Sequence, residues 1–238
     1  MIVSYNEKGW EVVTQRGHGL LAGQICARWK VSDQPLRWVE TLIATTEHDD
    51  LINEFESSPL LDDNGAPLNF KDSIFNEQAT EALLNMALTR SRFIALLIAR
   101  HISFTHGHEP KAKTFLKRLE KEEKKWISEA QLTTKEIEQA YRLLQFCDAF
   151  SLLICQKIVP PEQRKIEISK GPDGTSYTLC QYGEQLVVEP WPFELNEFVV
   201  VYETRTIKNL KFSNAQSFRK ALLESAITLQ EIKISSSF

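Results

Sequence analysis

Leu144-Gln145-Phe146-Cys147-Asp148-Ala149-Phe150-Ser151-Leu152-Leu153-Ile154-Cys155 is the stretch on which the reading of the fold turns. Apolar residues surround Asp148 on nearly every side of a helix, so the segment reads as a buried one. An ionised carboxylate in such a place must find a partner or protonate. A metal ion, an Arg or Lys, or a structural histidine would each serve. Upstream, Thr133-Thr134-Lys135-Glu136 fits a capping box, with Thr133 as cap and Glu136 reaching back. Ile137, Tyr141, Leu144, Asp148, Ser151 and Cys155 then share one face, and Pro160-Pro161 ends the helix.

Before this helix, helical spacing predominates. His18, Leu21, Ala22, Ile25 and Trp29 recur at helical intervals from Thr14 onward. Pro35 suits the first turn of a second helix, whose expected buried stripe is Leu36, Val39, Leu42 and Ile43 and which runs into His48-Asp49. Residues 53 to 73 contain Pro59, Gly65 and Pro67 and read as a loop long enough to cover a site. One helical pattern is expected from Asn76 to Phe104, with Ile94, Leu97, Ile98 and His101 on a common face. Lys111 to Glu129 reads as a solvated amphipathic helix, because acids interleave its bases.

Elsewhere the period falls to two. Ile2 to Tyr5 and Trp10 to Val13 flank an Asn6-Glu7-Lys8-Gly9 turn. Lys165 to Ile168, Tyr177 to Val188, Phe198 to Thr204 and Ile227 to Ile234 read as further strands, with a helix capped by Ser213 and Gln216 before the last. The expectation is a mainly α fold with an α+β part. A helical body spans 14–160, and a small, β-rich, antiparallel subdomain with one helix spans 164–238. The 1–13 hairpin joins that sheet, since a lone hairpin is barely stable in water.

With 238 residues the chain is long enough to bury a substantial core. A net charge of −4 offers no general attraction to nucleic acid or anionic membrane, and neither is expected as a partner. The start lacks the basic-then-apolar pattern of a secretory signal, and no apolar run is long enough to span a membrane. Cys26, Cys147, Cys155 and Cys180 form no CxxC pair and read as buried thiols in a reducing, cytoplasmic setting. GxGxxG, GxxxxGK[ST], HExxH and GxSxG are all absent, so nucleotide-loop, zincin and hydrolase-elbow chemistries lack support.

Three stretches instead read as one site: Gly17-His18-Gly19, Glu47-His48-Asp49-Asp50 and Phe146-Cys147-Asp148-Ala149, with His101 as a further imidazole. Nitrogen and oxygen donors from several helices are a standard way to hold a hard or borderline metal. Alone, His18 reads as a satisfied core or surface histidine sooner than as a ligand, and its neighbouring glycines either permit close approach or mark an irregular helix start. Asp49 and Asp50 at a helix C-terminus oppose the helix dipole, which favours a functional reading. His106 and His108 read as a solvated turn.

The order His18, His48-Asp49 and a distant Asp148 resembles the HD-domain superfamily of metal-dependent phosphohydrolases. That resemblance implies an HD-like helical bundle in which His18, His48, Asp49 and Asp148 hold a divalent metal. His101 matches in position the extra histidine of the two-metal branch. The chain is similar over nearly its whole length to an uncharacterised bacterial family, a domain of unknown function within or beside that superfamily. His18 to Gln24, Glu47 to Asp50, Pro59 to Phe70, Arg100-His101, Gln145 to Asp148 and Pro190-Trp191-Pro192-Phe193 carry this similarity. Two departures stand out: Asp50-Leu51 replaces the usual small residue and Gly, and no adjacent histidine pair lies between His101 and Asp148.

Two functions follow. As a metal-dependent phosphohydrolase of a small phosphorylated substrate, the protein would use Asp50 or Glu47 to orient water or relay its proton. Arg90, Arg92 or Arg100 would contact phosphate. As a regulatory module with a degenerate site, it would bind a metal or ligand without turnover. Mixed His and carboxylate donors admit Mn, Fe, Zn, Ni or Mg.

Overall fold

Ser91 shows how local chemistry divides this chain. Its backbone is extended (φ −163°, ψ 158°) and its hydroxyl accepts from the Ile94 amide, so it closes one helix and caps the next. The single helix expected from Asn76 to Phe104 is therefore two. The computed structural model describes residues 1–56 and 60–237. Pro59, part of the expected covering loop, lies outside the described residues.

Among the described residues the helices are α1 (Gln15–Cys26), α2 (Trp38–Glu47), α3 (Glu77–Arg90), α4 (Arg92–His106), α5 (Lys113–Glu129), α6 (Thr134–Cys155) and α7 (Ala215–Glu224). The strands are β1 (Ile2–Asn6), β2 (Gly9–Val13), β3 (Ile166–Lys170), β4 (Ser176–Tyr182), β5 (Gln185–Glu189), β6 (Glu197–Ile207) and β7 (Ile227–Ser235).

All seven strands join one sheet in the order β1-β2-β6-β7-β5-β4-β3. This overturns the expected HD-like helical bundle with a small antiparallel sheet: the fold is α+β, with a large mixed sheet. The physical reason is the placement of β7. After α7 the chain inserts β7 between β6 and β5, antiparallel to β6 but parallel to β5 through Gln185–Lys233, Leu186–Ile234 and Val187–Ser235. The β1–β2 hairpin extends the same sheet by pairing Trp10, Glu11 and Val12 with Ile207, Thr206 and Arg205. Period-two patterning locates strands but does not say which edge accepts the next one.

Three smaller corrections have equally local causes. The run from Tyr177 to Val188 is a hairpin rather than one strand, because Gly183 takes φ +58° and turns the chain. Asn214, not Ser213, caps α7 by accepting from the Ser217 amide. Of the stripe expected for α2, Leu42 and Ile43 are partly buried and pack against the cores, whereas Val39 is exposed, as is Leu36 ahead of the helix; the fully buried side chains are Thr41, Ala44 and Thr45. Thr41 and Thr45 return their hydroxyls to the Arg37 and Thr41 carbonyls at 3.3 and 2.8 Å, which leaves their methyl groups to pack.

Helix α6 lies between two apolar cores, which explains why it is apolar nearly all round. Toward the sheet, Phe146 and Phe150 join Trp29, Tyr177, Phe193 and Phe198. Toward the other helices, Ile137, Ala140 and Leu144 meet Phe93, Leu97 and Trp126. Its capping box is formed in both directions. Phe193 is fully buried against Trp29 and Phe198, so the Pro190 to Phe193 stretch covers the junction between sheet and helices. The four cysteines are buried and free. No helix among the described residues is long and apolar enough to cross a membrane.

Candidate metal centre

Helix α1 begins where the Thr14 hydroxyl accepts from the Gly17 amide, which places His18 in its first turn and fully buried. Glycine then sets how closely α2 can lie. A Cβ at Gly19 would stand 2.3 Å from the Thr46 carbonyl oxygen, and one at Gly23 would stand 2.3 Å from Thr46 Oγ1. Both distances are far inside van der Waals contact, so the α1–α2 approach exists because these positions lack side chains. That approach delivers His48, at the C-cap of α2, beside His18. Asp148 arrives from α6 and His101 from α4.

The donor atoms converge. His18 Nε2 and His48 Nε2 lie 3.2 Å apart, and Asp148 Oδ1 is 3.1 Å from the first and 3.3 Å from the second. Asp49 Oδ2 is 3.6 Å from both, and Asp49 Oδ1 is 3.4 Å from His101 Nε2. Two overlapping triads, His18-His48-Asp49 and His48-His101-Asp148, each keep their donor atoms within 4.8 Å of one another. Ligands about 2.1 Å from an ion are separated by about 3.0 Å at right angles and about 3.4 Å at tetrahedral angles. The observed separations fall on and just beyond that range.

Hydrogen bonds turn both imidazoles the right way for ligation. His48 Nδ1 is 2.8 Å from the Thr45 carbonyl, which can only accept, so Nδ1 carries the proton and Nε2 faces the cluster. Ser151 Oγ donates to the Asp148 carbonyl at 2.9 Å and therefore accepts from His18 Nδ1 at 2.8 Å. Gln15 Nε2 donates to Asp49 Oδ2 at 2.9 Å, and the backbone N–H of Gln15 donates to the buried Glu54 carboxylate at 2.8 Å. Such outer contacts are what orient metal ligands.

The electrostatics are those of a cation site. Burial alone would lower the His48 pKa, but the Asp49 and Asp148 carboxylates raise it to about 9. Burial alone would raise the pKa of Asp49 and Asp148, yet the neighbouring imidazoles hold both well below the ordinary carboxylate range. Positive charge is wanted among these oxygens, and a proton on His48 or a bound metal ion supplies it.

The remaining candidate residues are dispersed. Glu47 pairs with Arg90 at 3.0 Å and Asp50 with Arg16 at 3.4 Å, on either side of His48-Asp49. Burial raises the pKa of both carboxylates, against the pull of these arginines. Arg92 makes an exposed pair with Glu129 at 2.9 Å, and Arg100 pairs with Glu123 at 3.0 Å. His106 pairs with Glu109 at 2.7 Å. A cavity of about 760 Å³ lies between α4 and α5, lined by Arg100, His108 and Lys113 among others rather than by the His/Asp cluster. Sequence reasoning gives no site role to Gln15, Arg16 or Ser151, although it sets Ser151 on the Asp148 face. Only spacing marks them: Gln15 stands three residues before His18, and Ser151 three after Asp148.

This set can hold a divalent ion on two or three imidazoles and two carboxylates, and its chemistry suits a metal-dependent function. No curated protein and no solved structure matches the chain. A family model described as a protein of unknown function, DUF3891, matches residues 1–209, and no HD-domain family is indicated. The match takes in His18, His48, Asp49, His101 and Asp148 together with most of the sheet, and the chain belongs to the DUF3891 family.

Proposed function

We propose that the protein is a metal-dependent phosphohydrolase acting on a small phosphorylated substrate, with HD-like use of its ligands. The observation that carries this reading is the His18–His48 Nε2 pair, 3.2 Å apart and oriented from behind by Ser151 and the Thr45 carbonyl. Two unprotonated nitrogens at that distance repel unless a proton or a cation lies between them and the adjacent carboxylates. A purely structural network would more simply use one imidazole per carboxylate.

His18, His48, Asp49 and Asp148 would hold the ion, and His101 would complete the set on the α4 side. A divalent ion there would polarise a phosphoryl oxygen and lower the pKa of water beside it. Gln15 keeps Asp49 turned inward. Glu47 and Asp50, part-buried carboxylates with raised pKa, would take a proton from the attacking water. Arg90 and Arg16, which now balance those two acids, would meet the charge of the phosphoryl group. Buried free thiols suit a cytoplasmic setting.

Exposure bears on the choice between this and a non-catalytic regulatory site. A structural site is closed by protein ligands, whereas a catalytic one keeps an open position. His18 and His48 are sealed, but the Asp49 side chain is 25% exposed, which supports access from that side. The test is bound metal by mass spectrometry for untagged wild type, His48→Ala and Asp148→Ala, followed by phosphoester turnover with the metal found. Near-stoichiometric metal in wild type, lost in both folded variants, with metal-dependent turnover, is the expected result. Wild type that takes up neither Mn, Fe, Zn, Ni nor Mg would overturn the reading. Stoichiometric metal without turnover of any phosphoester would leave the regulatory alternative.

A further inference from the structure

Two buried polar atoms on the α4–α6 side of the cluster, His101 Nδ1 and the Tyr141 hydroxyl, have no hydrogen-bond partner among the described residues. Tyr141 is only 7% exposed, and its ring lies 6.5 Å from that of His101, centroid to centroid. It stands two helical turns before Asp148 on the same face of α6. Folded proteins rarely bury a hydroxyl without giving it a partner, and a Phe would fill the same space without that penalty.

From this juxtaposition we infer that Tyr141 and His101 line an oxyanion subsite, in which the Tyr141 hydroxyl donates a hydrogen bond to an oxygen of a tetrahedral oxyanion such as a phosphoryl group at the metal centre. The inference rests on the metal-centre reading above and adds a binding residue to it. Two further observations agree. Burial first, and the Asp148 carboxylate second, raise the Tyr141 pKa, so the phenol stays protonated and acts as a donor at any physiological pH. Arg100, one residue before His101 and paired with Glu123 at 3.0 Å, is near enough to oppose that shift. Asp148 shares α6 with Tyr141 and repels an anion there, so the subsite takes one only with the ion in place.

The experiment compares wild type with Tyr141→Phe, using inorganic phosphate as the probe. Metal stoichiometry, melting temperature and the phosphate dissociation constant of the metal-loaded proteins are read in parallel. Tyr141→Phe should keep its metal and melt at the same temperature or higher, while phosphate binds about tenfold more weakly, the worth of one hydrogen bond to a charged acceptor. Equal phosphate affinity in the two proteins overturns the subsite. So does a lowered melting temperature with unchanged affinity, which would make the hydroxyl structural. Wild type that holds metal but binds no phosphate overturns the subsite alone. Wild type that takes up no metal overturns the metal centre, and the subsite falls with it.

Discussion

His48 donates from Nδ1 to the Thr45 carbonyl and turns Nε2 toward His18, Asp148 and Asp49, so its protonation state decides whether the cluster is balanced. The sign of its pH dependence follows from the direction of its shift. In the metal-free protein its pKa is raised from 6.5 to about 9, so the proton it holds contributes stability that is fully present below about pH 6.5. That contribution is lost as pH rises toward 9. Asp49 and Asp148 act at the other end, because their depressed pKa values contribute stability above about pH 4 that is lost in more acid solution. Metal-free protein should therefore melt several degrees lower at pH 9 than at pH 6.5. A bound ion replaces the proton, so metal-loaded protein should lack that fall and the stabilisation by metal should grow with pH. Thermal melts with and without metal between pH 5 and 9 check this. A metal-free melting temperature that is flat from pH 6.5 to 9 would show that His48 is not charged in the fold.

At the level of elements the site depends on how closely α1 and α2 approach. Gly19→Ala places a methyl group 2.3 Å from the Thr46 carbonyl oxygen, and backbone cannot step aside without moving α2. The gain in helix propensity is about 1 kcal/mol, while overpacking costs about 1–3 kcal/mol, so the variant should be destabilised on balance. Moving α2 also separates His48 from His18, and metal affinity should fall by about tenfold or more. Gly23→Ala meets the Thr46 hydroxyl instead, a side-chain atom that can rotate at the loss of its 3.0 Å bond to the Leu42 carbonyl. It should be milder in both respects. Melting temperature and metal affinity of the two variants decide this, and Gly23→Ala proving worse than Gly19→Ala would refute the argument. The same contact explains what the sequence conveyed about α2. The polar signal at Glu47 to Asp50 was legible, since a His-Asp pair ending a helix stands out by its charge. The buried stripe was legible only in part, through Leu42 and Ile43. Thr41, Ala44, Thr45 and His48 follow helical spacing, but two of them are threonines, which hydropathy scores as polar although their hydroxyls are satisfied within the helix.

Across the whole molecule, the helical segments before residue 160, apart from the break at Ser91 that makes two helices of one, and the period-two segments after it were legible because each announces itself over a few residues through caps, turns and periodicity. The size and mixed character of the sheet were not, since they depend on β7 inserting between β6 and β5 and on the hairpin adding to β6, pairings between segments far apart in sequence. The resulting architecture gives the two parts different sources of stability. The strands β6 and β7 pair along nine residue positions, and their buried face joins a core with α1 and α6 that needs no ion. Helices α1, α2, α4 and α6 meet at the cluster through ionisable side chains instead, and a bound ion would tie all four together. Removing it leaves carboxylates and imidazoles to be balanced by protons alone, which weakens that corner without touching the sheet core. Hydrogen exchange with and without chelator should therefore differ in Gln15–Cys26, in Trp38–Glu47 with the three residues after it, in the second half of Arg92–His106 and around Asp148. The β6 and β7 amides should exchange at equal rates in both states. A uniform loss of protection that includes β6 and β7 would make the ion a global staple, and no difference at all would remove it from the fold.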